Sequence, residues 1–163
     1  MRAGSHYAGF EIAETPVIGI VRSMPNLDVA AYAGRYFNWF DSRLCPDFLL
    51  ALQGIAARTD DWGNGNAHAT VRVCNYNCRD GKVIWTDWER ENTGFEEWEG
   101  MEASRSGDTV GMLLNLDEGT LTVYKSNRCL GVMKDGLSGS YCWCASVIED
   151  DTVAIKRSKH PRA

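Results

Sequence analysis

Between residues 107 and 137 apolar and polar positions alternate. Val110, Met112, Leu114 and Leu116 fall on one side of a period-two pattern, and Leu121 and Val123 resume that side after "DEG", while Thr120, Thr122 and Tyr124 take the other. That alternation predicts strands with one buried face. Gly119 suits the left-handed residue of a three-residue hairpin loop. "SN" at 126 and 127 supplies a second tight turn, since Asn tolerates positive φ, and "RCLGVM" then runs back as a third strand. The predicted unit is a three-stranded antiparallel meander.

The same reading finds strands in "HYAGFEIAE", "VIGIVR", "AHATVRV", "KVIWTDW", "YCWCASVI" and "TVAIKR". Gly, Asn, Asp and Pro punctuate them at short intervals, and no regular crossover helices separate them, which favours antiparallel pairing over a parallel sheet. Residues 27–36 and 46–57 are the helical candidates, the second with Phe48, Leu49, Leu52 and Ile55 near helical spacing. They are expected as short insertions between strands. No internal repeat or flexible linker divides the chain. The expected fold is all-β, a two-sheet antiparallel β-sandwich with short helical insertions.

Composition narrows the functional classes. The 163 residues with 44% hydrophobic content suffice for one core without disulfides or metals. A net charge of -5, with no basic run beyond the tail from Lys156, makes nucleic acid a poor partner. No stretch of 18 uninterrupted apolar residues and no export signal is visible, so a soluble chain with no membrane partner is expected. Cys45, Cys74, Cys78, Cys129, Cys142 and Cys144 lack paired CxxC spacing and read as reduced thiols of an intracellular, cytoplasmic protein.

Catalytic and metal chemistry find little footing. Asp87, Glu89 and Glu91 alternate along "DWERE" as a glycosidase pair would require, yet such clusters are common in acid-rich loops. Cys74, Cys78 and His68 sketch three ligands, whereas structural zinc prefers four in tight pairs. "GNG" at 63–65 has no following Lys-Ser/Thr and is a turn. The expectation is no enzyme, no cofactor and no metal. Residues 85–103 are the compositional anomaly, with Asp87, Glu89, Glu91, Glu96, Glu97, Glu99 and Glu102 interleaved with Trp85, Trp88, Phe95 and Trp98. They read as a solvated acidic loop anchored by aromatics, or as a rim for a basic partner peptide through Trp88 and Trp98.

"GDTVGMLLNLDEGTLTVYKSNRCLGV" followed by "GLSGSYCWCASV" resembles the C-terminal half of a SPRY domain, and "GSHYAGFEI" and "VIGIVR" resemble that family's first strands. Cys142 stands where the family commonly has Pro. The resemblance implies a SPRY-type sandwich over residues 1–157, without the strand that often precedes "HY", and a charged tail at 158–163. It also implies a non-catalytic module that binds a peptide or protein surface through loops at one end. On that basis the expected partner-binding residues are Thr15, Pro16, Ser23, Met24, Pro25, Asn26, Val147, Ile148 and Glu149, with Ile148 as an exposed apolar anchor, and Trp88 and Trp98 join them from the acidic segment. A carbohydrate-binding lectin-like protein, or a structural subunit of a larger assembly, are the alternatives.

Overall fold

A computed structural model describes residues 1–22, 71–86, 95–148, 150–157 and 159–161. Within them lie β1 (Ser5–Ala13), β2 (Val17–Arg22), β3 (Val73–Asn77), β4 (Val83–Thr86), β5 (Phe95–Glu96), β6 (Thr109–Asn115), β7 (Thr120–Lys125), β8 (Arg128–Lys134), β9 (Tyr141–Ser146) and β10 (Thr152–Lys156). These strands form two five-stranded sheets, ordered β10-β1-β6-β7-β8 and β5-β4-β3-β2-β9. All the pairings are antiparallel.

Each sheet turns one apolar face to the other. Phe10 and Ile12 of β1, Met112 and Leu114 of β6 and Leu121 and Val123 of β7 meet Ile18 and Ile20 of β2, Cys74 and Tyr76 of β3 and Tyr141 of β9 in one core. The period-two pattern places them there, because residues two apart share a sheet face. β2 is buried along nearly its whole length for a second reason. Val21 joins Val73 and Cys144 in a smaller cluster on the face away from the core.

The predicted meander is β6-β7-β8. Gly119 closes the first hairpin at φ +70°, and both Ser126 and Asn127 take positive φ (47° and 68°), the pairing a two-residue type I′ turn needs. The β7–β8 register then shifts twice, between Leu121 and Thr122 and between Val123 and Tyr124.

Two strand readings need correction. The third strand does not follow "AHATVRV": it begins at Val73 and continues through "CNYN", paired to β2 from Val73–Val21 to Asn77–Val17. Its alternation was masked because Asn75 and Asn77 occupy the face opposite Cys74 and Tyr76. β5 was not expected at all, and its two residues form a strand by pairing with Val83 and Ile84 at the edge of β4. The helical candidates at 27–36 and 46–57 lie outside the described residues.

Cys74, Cys78 and Cys144 are buried thiols, while Cys129 and Cys142 are exposed. Burial pushes all three interior thiols up, those of Cys78 and Cys144 to about 12. Under a brief maleimide pulse at pH 7.5, peptide mass spectrometry should find Cys129 and Cys142 modified and Cys74, Cys78 and Cys144 intact until denaturant is added.

Candidate functional site

Among the described residues four segments change sheet, and one end of the sandwich collects three of them, the fourth being 135–140 between β8 and β9 at the other end. The loop of 14–16 carries the chain from β1 to β2, residues 97–108 carry it from β5 to β6, and residues 147–151 carry it from β9 to β10, each crossing between sheets. The pairs Ala13–Thr152 and Val17–Ser146 fix the first and third of these side by side. Loops held by a rigid double sheet are where recognition residues are presented.

A single carboxylate ties two of these loops together. Asp151 Oδ1 accepts the Thr15 N–H at 3.1 Å, and its Oδ2 accepts the Ile148 N–H at 3.0 Å. The Asp151 N–H in turn donates to the Ile148 carbonyl at 3.0 Å, so the turn is closed from both ends. The crossing at 97–108 is joined as well, since the Glu14 N–H donates to Ser106 Oγ at 2.7 Å. Beneath them the Cys78 N–H donates to the Pro16 carbonyl and the Ser104 N–H to the Cys78 carbonyl. On this frame Val147 and Ile148 stand 54% and 66% exposed. The turn that holds these large apolar side chains in water is already ordered, so little order would remain to be imposed on a contact there.

An Asp151→Ala chain should lose about 1–2 kcal/mol of stability, since two backbone donors lose a charged acceptor at a solvated site. Amide hydrogen exchange at Thr15 and Ile148 should quicken more than exchange within β2 and β9, which rises only by the global loss.

The structure thus brings Thr15, Pro16, Val147 and Ile148 to one end. Ser23, Met24, Pro25, Asn26, Trp88 and Glu149 lie outside the described residues. β2, which precedes Ser23, ends with Arg22 opposite Tyr141, whereas Val147 follows the other end of β9, where Ser146 faces Val17. Trp98 is half-buried near the β5–β8 side of the sandwich. Its indole N–H donates to the Gly81 carbonyl at 2.7 Å, and its ring packs on the core beside Gly131. Asp151 and Ser106 were not singled out from sequence; the Ile-x-x-Asp spacing before a strand is a turn signal that could have marked the first.

The described part of the acidic segment is largely engaged within the protein. Trp85 Nε1 donates to Glu96 at 3.0 Å, Lys82 lies 3.9 Å from Glu97, and Glu102 faces both Lys125 at 3.0 Å and Arg128 at 2.5 Å. Hydrogen bonds from Arg128 and Lys125 hold the Glu102 carboxyl below the usual carboxylate range. The Lys134 ammonium sits 4.5 Å from the centre of the Trp85 ring. Asp87, Glu89 and Glu91 lie outside the described residues. Among the described residues no group of three or more His, Cys, Asp or Glu is placed to hold a metal ion, and no helix is long and apolar enough to cross a membrane.

No family model matches the chain, and no curated protein does. Among solved structures it is similar to the crystal structure of the SPRY domain of human HERC1, with a TM-score of 0.54 and 11% identity, over 96% of this chain and 75% of that one. The chain has the SPRY fold. Within that fold, the end carrying Thr15, Pro16, Val147 and Ile148 is the one at which 14–16, 97–108 and 147–151 pass between the sheets.

Proposed function

We propose that this SPRY-fold chain is a non-catalytic interaction module that takes a peptide or protein surface on the end formed by Thr15, Pro16, Val147 and Ile148. The observation that carries the reading is the turn at 147–151: it presents Ile148 at 66% exposure while Asp151 locks it to Thr15. A bulky apolar side chain fixed in solvent and surrounded by polar backbone has the makeup of an interface anchor with a polar rim. The likeness to a SPRY domain supports an interaction role, and free thiols at Cys74, Cys78, Cys129 and Cys144 support a reducing, intracellular setting.

The partner class follows from the anchor. Val147 and Ile148 call for an apolar contact, and Glu97 and Glu102 of the acidic segment are turned to the protein's own Lys82, Lys125 and Arg128. Retention should therefore persist in high salt. The test is a pull-down from cognate lysate with the wild type beside an Ile148→Arg chain, at low and high salt, with circular dichroism confirming that both are folded. A protein held by the wild type at both salt concentrations and lost by the variant supports the reading. Equal retention by both, or by neither, overturns it.

A further inference from the structure

Among the described residues β9 is one of four edge strands, and apolar side chains lie beside it. β9 is the last strand of its sheet, and its inner neighbour β2 takes the ladder bonds of only one alternating set of backbone groups. The outward set begins at Tyr141, whose N–H donates to the Met1 carbonyl at 3.0 Å and whose carbonyl accepts from the Met1 amino group at 2.8 Å. Two bonds exchanged between one pair of residues is the signature of antiparallel pairing. The next outward-facing residues, Trp143 and Ala145, have no strand opposite them among the described residues.

The side chains beside that edge are apolar. Trp143 meets Phe10 edge to face at 5.9 Å between ring centres, and Ile155, paired with Phe10 on the edge strand of the other sheet, is 50% exposed. Together with Val153 they lie along the β9 and β10 edges, the two strands that 147–151 connects. Met1 shows what fits there: it makes both backbone bonds to Tyr141 while its side chain packs on the core.

From this edge we infer that the module takes its partner by strand addition: an extended segment of another protein pairs antiparallel with β9 at Trp143 and Ala145. The inference rests on the interaction reading above and names its mode. Residues opposite Trp143 and Ala145 share their inward face, so the segment carries apolar side chains at alternate positions, which cover Ile155 and Val153. A second copy of β9 paired about Trp143 is blocked. Centred on Trp143, its Ala145 would land on the position opposite Tyr141 that Met1 holds.

The test selects a displayed library of random dodecapeptides against the full chain and measures the best synthetic peptide. Alternating apolar residues are expected in the selected sequences, and saturating peptide should slow amide hydrogen exchange at Trp143 and Ala145 by about tenfold or more. Ala145→Pro removes an outward N–H and leaves the bonds of Cys144 and Ser146 to β2, so it should weaken binding about tenfold or more. Should that variant fail to fold, exchange on the wild type still decides. Peptides that bind, protect neither amide and are lost by Ile148→Arg but not by Ala145→Pro overturn strand addition and leave the end-loop reading standing. A library that yields no binder, or a chain that dimerises with the same amide protection and no peptide, also overturns it.

Discussion

A Phe10→Ala chain is expected to lose about 3–5 kcal/mol of stability, the cost of deleting a large ring from a packed core that does not fully collapse around the gap. Phe10 has no exposed surface. It lies on β1 between β10 and β6, and its ring reaches across the sandwich to meet Trp143 of β9. The truncation therefore removes apolar burial and an edge-to-face contact between the sheets at once. Ile155→Ala, one strand over in register with Phe10 but half exposed, should cost about 1 kcal/mol or less. Urea unfolding checks both, with a lower midpoint and an unchanged slope expected for Phe10→Ala. Equal losses for the two variants would contradict the packing described here.

Gly19→Ala should be nearly as damaging, through the opposite defect. A Cβ at Gly19 would run into the Cys74 carbonyl and lie 2.7 Å from Asn75 Cα, so backbone rather than a flexible side chain occupies the space. β2 is flanked by β3 and β9, with Gly19 between Asn75 and Cys144. The Asn75 side chain crosses this spot, where its Oδ1 accepts from Cys144 Sγ at 3.2 Å. Overpacking of about 3 kcal/mol is expected, which for a chain of this size lowers the melting temperature by about 6–12 °C. Adding Asn75→Ala should not restore stability, because the Cys74 carbonyl and the Asn75 backbone remain. A full rescue would show that only the side chain stands in the way.

How much of this was legible in the sequence depends on the range of the interactions concerned. The meander was legible because period two, Gly119 and Asn127 act within a few residues of one another. β1, β2, β9 and β10 were legible from the same local alternation. β3 was misplaced because Asn75 and Asn77 interrupt the apolar run on the outer face, and their acceptance there is set by β2, more than fifty residues away in sequence. β5 has no pattern of its own and exists only through the edge of β4.

The placement of four candidate residues at one end was legible. Val147 and Ile148 lie at the end of a predicted strand, and Thr15 and Pro16 lie between two others. The clamp was not legible. Asp151 to Thr15 spans 136 residues and Glu14 to Ser106 spans 92, and neither leaves a local signature that names its partner. Trp98 was read as part of a rim because acids surround it in sequence, but in space its indole N–H is directed to Gly81. A tryptophan's neighbours along the chain do not report what its ring covers.

The most direct measurement of the central claim replaces Ile148 with the photo-crosslinking residue p-benzoylphenylalanine, and separately Val132, in the chain expressed in its own cells. Val132 is a matched control, 53% exposed on the outer face of the other sheet and far from the loop end. The account predicts that illumination joins a discrete partner to position 148 and none to position 132. A partner joined at 132 and not at 148 would contradict it.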